Sequence, residues 1–371
     1  MRVGFDASAL QPLTTGAEEY QRNLVDALSR RGDDLNLMVY TPRGVGAWPQ
    51  NVRIHEMPWN VGQNVARIAK GAFLWPRRWS RDELDVLHVP FYYLPLGAPA
   101  TSVLTVYDVR FARFPATYRP ARLLFLRWAV PQSLRRARRI IAISEFTKRE
   151  IVEIFRVSPD KIAVTPLAVS PRFHSVAAPE QVAVIRRKYG LHAPFVLCVG
   201  TIEPRKNLER TVEAFGRLRR RGTDHILVLA GAPYFGMRRL AATIARLRLE
   251  GAVRVIGHVP DDEMVALYRT ADVFVYPSLY EGFGIPVLEA MTCGTPVVAS
   301  NVTSIPEIAG DAALLFDPRD ADALASAMES VLSSAEMAAR LRAAGRERAA
   351  CFTWTETARR TMDVYRQATA I

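Results

Sequence analysis

The chain has 371 residues, of which 49% are hydrophobic, and this length favours two globular domains over one. Its net charge of +12 favours anionic partners, such as phosphorylated ligands, nucleic acid or acidic lipid. The three scattered cysteines exclude a disulfide framework, and no apolar run is long enough to span a bilayer. We therefore expect a cytoplasmic protein that has no signal peptide.

Short apolar runs recur along the chain, and they predict buried parallel strands because they do not alternate polar and apolar positions. The first half contains RVGFDAS, LNLMVY, DVLHVP, TSVLTVYD, RIIAIS and KIAVTPL, and the second half contains FVLCVGT, HILVLAG, VRVIGHV, VFVYPS, PVVAS and ALLFDP. Helical patterns lie between many of these runs, for example over 16–32 and over 210–222, which ends at the helix-stopping Gly222. The alternation predicts an α/β fold with two doubly wound, Rossmann-like domains.

A segment without periodicity, residues 168–180, is rich in proline, serine and alanine and predicts the linker. We expect an N-terminal domain over 1–175 and a C-terminal domain over 181–353. The amphipathic pattern at the end of the chain predicts a terminal helix over 354–371. Because ligands bind at the carboxyl ends of strands in open α/β sheets, we expect the site in the loops that follow the strands.

A glycine loop and a helix start follow the strand DVFVYPS. Gly282 and Gly284 allow the backbone to approach a ligand closely, and Pro286 suits the first turn of a helix. Such a helix start offers an anion site, because its amides and the positive end of its dipole face the loop. A diphosphate bound there would leave Glu281 to contact sugar hydroxyls and Glu289 to contact ribose. The alternative for Glu289 is an ordinary acid in a first helical turn.

Two adjacent cations follow the strand FVLCVG. Arg205 and Lys206 lie after Gly200, in the loop before a helix that Asn207 can cap. Arginine forks onto phosphate oxygens and lysine adds a point charge, so the pair suits a diphosphate, although an exposed basic loop is the alternative. Nucleobase contacts are expected from the loops after VLAG and VIGHV, around Gly231, His258 and Val259.

The candidate site residues in the first half of the chain lie at or after strand ends, and their sequence patterns are less specific. Gly16 lies in a threonine-rich loop that opens a helix, where an ordinary turn is an equal interpretation. Asp108 ends a buried strand, where a carboxylate can orient a hydroxyl, stabilise charge or cap the next segment. His88 ends the preceding strand, and a lone histidine at a strand end is more often structural than catalytic.

Two basic stretches, 66–81 and 109–144, contain no acidic residue, and they predict contact with an anionic membrane surface. The alternative is that the arginines pair with acids elsewhere in the fold and that the aromatic residues are core. The charge also suits a nucleic-acid binder, but no recognised binding motif accompanies it, so we expect no nucleic acid. The aromatic residues in the two stretches include Phe73, Trp75, Trp79, Phe111, Phe114, Phe125 and Trp128.

Residues 200–207, GTIEPRKN, and residues 276–318, together with the glycine-bearing first loop, resemble family 4 retaining glycosyltransferases of the GT-B fold. The resemblance covers essentially the whole chain. Its most specific part lies in 273–318, which contains two glutamates separated by seven residues, Glu281 and Glu289. Within the family the sequence most resembles mannosyltransferases of polysaccharide and glycolipid assembly. The resemblance implies two Rossmann-like domains facing across a cleft, with the helix over 354–371 crossing back to the first domain.

The resemblance also implies an activity, the transfer of a hexose from a nucleotide sugar to a glycan or lipid-linked acceptor without a metal or other cofactor. GDP-mannose is the favoured donor, and mannose is the sugar that would be transferred. Arg205 and Lys206 would hold the donor diphosphate, Glu281 would contact the transferred sugar and Glu289 the ribose. Amides near Phe283, Gly284 and Ile285 would bind sugar and phosphate. The residues expected to carry catalysis are Glu281, Asp108, Arg205 and Lys206.

The sequence departs from many family members in the first domain, where Tyr107 and Asp108 stand in place of a His-Asp pair. Tyr107 can donate a hydrogen bond but cannot become a cation near neutral pH. The resemblance assigns that histidine to contact with the donor sugar and to support of the transition state. Either Tyr107 or His88, both candidates on the acceptor side, takes over the role, or the enzyme manages without it. Three other functions remain open: the same reaction with a UDP-, ADP- or dTDP-sugar and a small soluble acceptor, another enzyme on this fold such as an epimerase or a sugar-phosphate synthase, and a non-catalytic nucleotide-sugar-binding protein.

Overall fold

The computed structural model describes residues 1–10, 16–32, 35–45, 48–60, 75–95, 97–175 and 178–370. The chain divides into two compact units. The first comprises Met1–Ala168 and Thr353–Ile371, and the second comprises Val169–Phe352. The chain therefore enters the second unit within the segment that the sequence predicts to be a linker.

The first unit contains a seven-stranded parallel sheet with the strand order β3-β2-β1-β4-β5-β6-β7. The strands are β1 Arg2–Asp6, β2 Asn36–Arg43, β3 Arg53–Asn60, β4 Val86–Val89, β5 Ser102–Val106, β6 Arg139–Ala142 and β7 Ile162–Val164. The helices are α1 Gly16–Ser29, α2 Arg110–Arg113, α3 Pro120–Arg136 and α4 Glu145–Phe155, and residues 75–82 are also helical.

The second unit contains a six-stranded parallel sheet with the order β10-β9-β8-β11-β12-β13. The strands are β8 Phe195–Val199, β9 Ile226–Ala230, β10 Val253–Gly257, β11 Val273–Tyr276, β12 Val297–Ser300 and β13 Leu314–Phe316. The helices are α5 Pro179–Lys188, α6 Leu208–Arg220, α7 Met237–Arg246, α8 Asp261–Thr270, α9 Ile285–Thr292, α10 Ile305–Ala309, α11 Ala321–Leu332 and α12 Ala335–Ala350.

These sheets confirm the predicted α/β class, because each of the twelve apolar runs forms one of the strands. Strand β3 was missed. It lies at the edge of its sheet, and only Met57 and Trp59 of its eight residues are buried, so its sequence shows no apolar run. The strand order reverses between β1 and β4 and between β8 and β11. Ligands bind at such reversals in doubly wound sheets.

The terminal helix, α13 Trp354–Thr369, packs against α1 and strands β4, β5 and β6 of the first unit. Within it the Thr357 hydroxyl donates to the carbonyl oxygen of Pro166 at 2.8 Å, and the Tyr365 ring is completely buried. The helix is therefore an integral layer of the first unit. Among the helices in the described part of the chain, none is both long enough and apolar enough to cross a membrane.

Three aromatic residues of the predicted membrane surface lie in the core of the first unit. Trp75 and Trp79 stack with their ring centroids 5.0 Å apart and are each 2% exposed, and Phe111 is 1% exposed. The prediction that these three rings face a membrane is therefore wrong, because they pack against the sheet and its flanking helices instead. Phe73 and the rest of 66–74 lie outside the described residues.

The two ends of α6 differ in how well the sequence predicts them. Gly222 follows the helix with a φ of 97°, which confirms its role as the stop. Asn207 precedes the helix, but its side chain does not cap it. Its amide instead donates to the carbonyl oxygens of Pro277 and Pro318, at 3.2 and 2.7 Å. The predicted cap is therefore wrong, and Asn207 joins the loops that follow β11 and β13.

Candidate active site

The predicted donor residues of the second unit lie on the loops after β8 and β11. These strands are far apart in the sequence but neighbours in the sheet, where Val196 pairs with Val273 and Leu197 with Phe274. Their carboxyl ends therefore meet at the same edge. The amide of Leu279 on one loop donates to the carbonyl oxygen of Arg205 on the other, at 2.9 Å. The reversal in strand order thus brings the two motifs together.

Lys206 is almost completely buried, with 9% of its surface exposed. Its Nζ donates to Oε1 of Glu281 at 2.7 Å and to the Tyr276 hydroxyl at 2.9 Å, and it lies 4.8 Å from the centre of the Tyr276 ring. Burial lowers the pKa of Lys206, and the Glu281 carboxylate opposes that change. The lysine is held in place by Glu281 and Tyr276 and is not an exposed loop residue, which excludes the exposed-loop alternative.

Arg205 is held by carboxylates on both sides. Its Nε and Nη2 donate to Oε1 of Glu203 at 3.0 and 2.6 Å. Its Nη1 donates to the carbonyl oxygen of Tyr280 at 2.6 Å and lies 2.5 Å from Oε1 of Glu281. Burial opposes the charge, but the Glu281 and Glu203 carboxylates raise the pKa of Arg205 above its usual range. A guanidinium has five N–H groups, so these contacts leave a donor for a further acceptor.

Glu281 is the carboxylate that Lys206 and Arg205 share, and its side chain is 12% exposed. Burial by itself would raise the pKa of Glu281, but the Lys206 and Arg205 cations lower it to about 2. The group is therefore ionised throughout the neutral range. Together with Glu203, the cluster holds two cations and two carboxylates.

Two glycines allow the loops around the cluster to approach each other. Gly200 has a φ of 144°, and a Cβ at this position would lie 3.0 Å from Cε of Lys206. A Cβ on Gly231 would lie only 2.0 Å from the carbonyl oxygen of Gly200. Both residues were predicted to contact the donor. The structure shows that each is needed for the packing that positions Lys206.

The loop before α9 is held by hydrogen bonds from Ser304, which lies between β12 and α10. The Ser304 hydroxyl donates to the carbonyl oxygens of Glu281 and Phe283 at 3.0 and 2.8 Å. Gly284 adopts a left-handed φ of 106°, and the helix begins at Ile285. This confirms the predicted glycine loop and helix start. Gly282, Phe283 and Gly284 are all buried.

Glu289 lies one turn inside α9 and is 9% exposed. The Tyr268 hydroxyl donates to its Oε2 at 2.8 Å. Burial and the adjacent Glu289 carboxylate raise the pKa of Tyr268, so the phenol stays protonated and remains a donor. The carboxylate is therefore oriented by a neighbouring helix, α8.

The loops that were predicted to read the nucleobase follow β9 and β10. They are joined by a hydrogen bond of 2.7 Å from the Gly231 amide to the carbonyl oxygen of Gly257. His258 is exposed, whereas the side chain of Val259 is 3% exposed. Only the backbone of Val259 is therefore available to a base.

His88 is a core residue of the first unit, which corrects its assignment to the acceptor side. It has no exposed surface, and its Nδ1 and Nε2 lie 2.7 Å from the Tyr365 hydroxyl and from Oγ1 of Thr105. Burial lowers the pKa of His88 to about 3, so the ring is neutral. A ring whose two nitrogens both have protein partners in the core cannot reach an acceptor.

The other first-unit candidates have distinct surroundings. Asp108 is partly exposed, and its Oδ1 accepts from the Arg110 amide, the first of α2, at 3.0 Å and from the Tyr92 hydroxyl at 3.3 Å. Burial raises the pKa of Tyr107, which keeps its hydroxyl protonated. Gly16 is the exposed first residue of α1, and a Cβ there would meet nothing within 4 Å. Its backbone conformation therefore does not require glycine.

The sequence alone missed Glu203 and Tyr276. Glu203 lies in the loop after β8, two residues before Arg205, and Tyr276 ends β11, so their positions at or after strand ends are the available signal. Neither residue type is part of a recognisable phosphate motif. In the described part of the chain, no three His, Cys, Asp or Glu side chains group as metal ligands.

The chain matches known families over both units. Residues 14–173 match the family described as Glycosyltransferase Family 4, and residues 183–348 match Glycosyl transferases group 1. The chain is 35% identical over 298 residues to O-antigen chain mannosyltransferase B of Escherichia coli, covering 79% of this chain and 78% of that protein. The chain belongs to the family 4 glycosyltransferases. It is therefore an enzyme that transfers a glycosyl group, and the predicted family is confirmed.

Other relatives of this glycosyltransferase are longer proteins. MMP alpha-(1->4)-mannosyltransferase of Mycolicibacterium hassiacum is 33% identical over 236 residues, and the chain spans 54% of its length. The serotype-specific mannosyltransferase WbdA of Escherichia coli is 33% identical over 232 residues, and the chain spans 28% of it.

Solved structures confirm the GT-B fold. Sucrose-phosphate synthase from Thermosynechococcus elongatus superposes with a TM-score of 0.78 at 21% identity, covering 99% of this chain and 98% of that one. HepE of Anabaena superposes with a TM-score of 0.76 at 17% identity and covers 98% of both chains.

Proposed function

We propose that this glycosyltransferase transfers a hexose, with mannose from GDP-mannose as the favoured donor, to a glycan or lipid-linked acceptor. We further propose that the configuration of the sugar is retained and that no metal is required. The sugar is suggested by the relatives, since the names of O-antigen chain mannosyltransferase B and of MMP alpha-(1->4)-mannosyltransferase both specify mannose.

The observation that carries the proposal is the cluster of Arg205, Lys206 and Glu281 at the carboxyl ends of β8 and β11. A leaving diphosphate develops negative charge, and a fixed cation stabilises that charge without reorganising during the reaction. Lys206 has three N–H donors and uses two of them, on Glu281 and Tyr276. The remaining donor of Lys206 and that of Arg205 are available to phosphate oxygens.

The two glutamates are proposed to contact different parts of the donor, the transferred sugar and the ribose. Glu281 is ionised and shared by two cations, and its position at the glycine loop suits hydroxyls of the transferred sugar. Glu289 lies one turn inside α9, where the Tyr268 hydroxyl donates to its Oε2, and a carboxylate held in this way suits the ribose hydroxyls.

The proposed chemical step needs no covalent intermediate with the protein. The acceptor hydroxyl attacks the sugar from the face that the diphosphate leaves, and the departing phosphate oxygen takes the hydroxyl proton. One glycosidic bond forms as the sugar–phosphate bond breaks. The family resemblance supports this front-face route. Asp108, held by Tyr92 and the Arg110 amide, is proposed to orient a sugar hydroxyl.

Incubation with a panel of nucleotide sugars tests the donor. With EDTA present, we expect release of GDP from GDP-mannose to exceed release of nucleoside diphosphate from UDP-glucose, ADP-glucose or dTDP-glucose. Turnover of another donor in place of GDP-mannose would contradict the proposed donor. Loss of turnover in EDTA that Mg²⁺ restores would contradict metal independence, and tight binding without any turnover would favour a non-catalytic protein.

Replacing either cation tests the phosphate role. Arg205→Ala and Lys206→Ala are each expected to weaken GDP binding by about 1.5–3 kcal/mol, because a charge-assisted hydrogen bond is lost. Isothermal titration calorimetry measures the affinity. Arg221→Ala is the matched control, because Arg221 forms an exposed ion pair with Glu329 in the same unit and should not affect binding. Unchanged affinity in both test variants would remove the cations from the site.

Glutamine replacements test the division between the glutamates. Glu281→Gln should lower turnover strongly while GDP still binds, because this carboxylate is proposed to face the sugar and the glutamine oxygen can still accept from Lys206 and Arg205. Glu289→Gln should weaken GDP itself, because this carboxylate is proposed to face ribose. Calorimetry with GDP and turnover with GDP-mannose separate the two effects. Identical GDP affinities in the two variants would show that the glutamates do not divide the donor in this way.

A further inference from the structure

Helix α3, Pro120–Arg136, exposes two large apolar side chains one turn apart. Leu124 is 72% exposed and Trp128 is 61% exposed. Residues four positions apart lie on the same side of a helix. The opposite side is anchored in the unit, because Leu126, Val130 and Leu134 are buried. The two exposed residues therefore form an apolar patch on a rigidly held helix.

Arginines border this patch. Arg127 lies three residues after Leu124, and Arg135 lies seven after Trp128, so both are close to the patch on the helix surface. Both are exposed. We call Leu124, Arg127, Trp128 and Arg135 the α3 outer face. The nearest acidic residues along the chain are Asp108 and Glu145, both outside the helix.

Other arginines of the acid-free stretch have partners within the fold. Arg113 pairs with Glu150 at 2.7 Å and with Glu153 at 3.2 Å. Three others donate to carbonyl oxygens: Arg136 to Pro95, Arg138 to Ala370 and Arg139 to Asp160. These four arginines therefore contribute to the fold, whereas Arg127 and Arg135 belong to the exposed α3 outer face.

The Trp128 ring also packs near another aromatic ring of the same helix, that of Phe125. The half-buried Phe125 ring lies 6.5 Å from Trp128 and packs edge-on against Tyr93 at 5.0 Å. This support limits how far the indole can turn towards the protein. A Trp and a Leu exposed together cost free energy in water, whereas at a lipid interface the apolar atoms are buried and the indole N–H remains hydrated.

We propose that the α3 outer face docks on an anionic lipid bilayer. Leu124 and Trp128 enter the headgroup region, and Arg127 and Arg135 pair with lipid phosphates. The inference rests on this face alone and not on the donor or the reaction, since all four residues lie outside the candidate active site. It replaces the broader membrane surface that the sequence predicts, whose Trp75, Trp79 and Phe111 are in the core.

Vesicle sedimentation tests the proposal. At low salt, the wild-type chain is expected to pellet with vesicles of phosphatidylcholine mixed with phosphatidylglycerol, less with phosphatidylcholine alone, and less as salt rises. Trp128→Ala and Leu124→Ala should each lower the binding constant by about tenfold, because apolar burial is lost. Arg127→Gln and Arg135→Gln should each lower it by about fivefold, and only on the anionic vesicles.

Two replacements in the second unit are matched controls. Phe235→Ala removes an aromatic side chain that is 66% exposed, and Arg187→Gln removes an exposed arginine, so neither should change vesicle binding. Circular dichroism and the thermal unfolding midpoint, measured in parallel, should be unchanged in the four α3 variants and report that they are folded. Equal binding to both lipid compositions, no binding at low salt, or equal losses in the control variants would overturn the proposal. If the α3 outer face binds an acidic protein instead of lipid, the chain will not bind either kind of vesicle at low salt.

Discussion

The ion cluster around Glu281 is the interaction on which the candidate donor site depends. Lys206 and Arg205 are both mostly buried, and a buried cation is costly unless a carboxylate lies beside it. Removing one partner from such a group commonly costs about 3–5 kcal/mol, because an uncompensated charge remains. The same contacts fix the directions of the cations before any ligand arrives. Stability and preorganisation of the site therefore have one physical origin.

The doubly wound sheet makes this cluster from residues that are distant in sequence. Lys206 follows β8 and Glu281 follows β11, and pairing of the two strands brings their ends to one edge. Space for the lysine depends on the absence of side chains at Gly200 and Gly231. The fold thus supplies the proximity, and the two glycines supply the clearance that lets the loops close around the charge.

Much of this arrangement is predictable from the sequence, because buried strands appear as apolar runs and ligand residues follow them. Edge strand β3 was not predicted because it is largely exposed and contains polar residues, so it forms no apolar run. Contacts between residues distant in the sequence could not be predicted either. The partner of His88 is Tyr365, 277 positions away, and no residue near His88 in the sequence indicates that its ring is buried. The burial of Trp75 and Trp79 could not be predicted for a similar reason, because basic neighbours in the sequence do not show whether an aromatic ring faces the core or the solvent. Glu203 was missed because its role depends on the direction of the Arg205 side chain.

A crystal structure with bound nucleoside diphosphate is the most direct test of the claim that this buried cluster is a diphosphate site. We predict phosphate oxygens about 3 Å from Nζ of Lys206 and from the Arg205 guanidinium, with both cations still in contact with Glu281. A diphosphate bound elsewhere, with neither cation contacting a phosphate oxygen, would contradict the account.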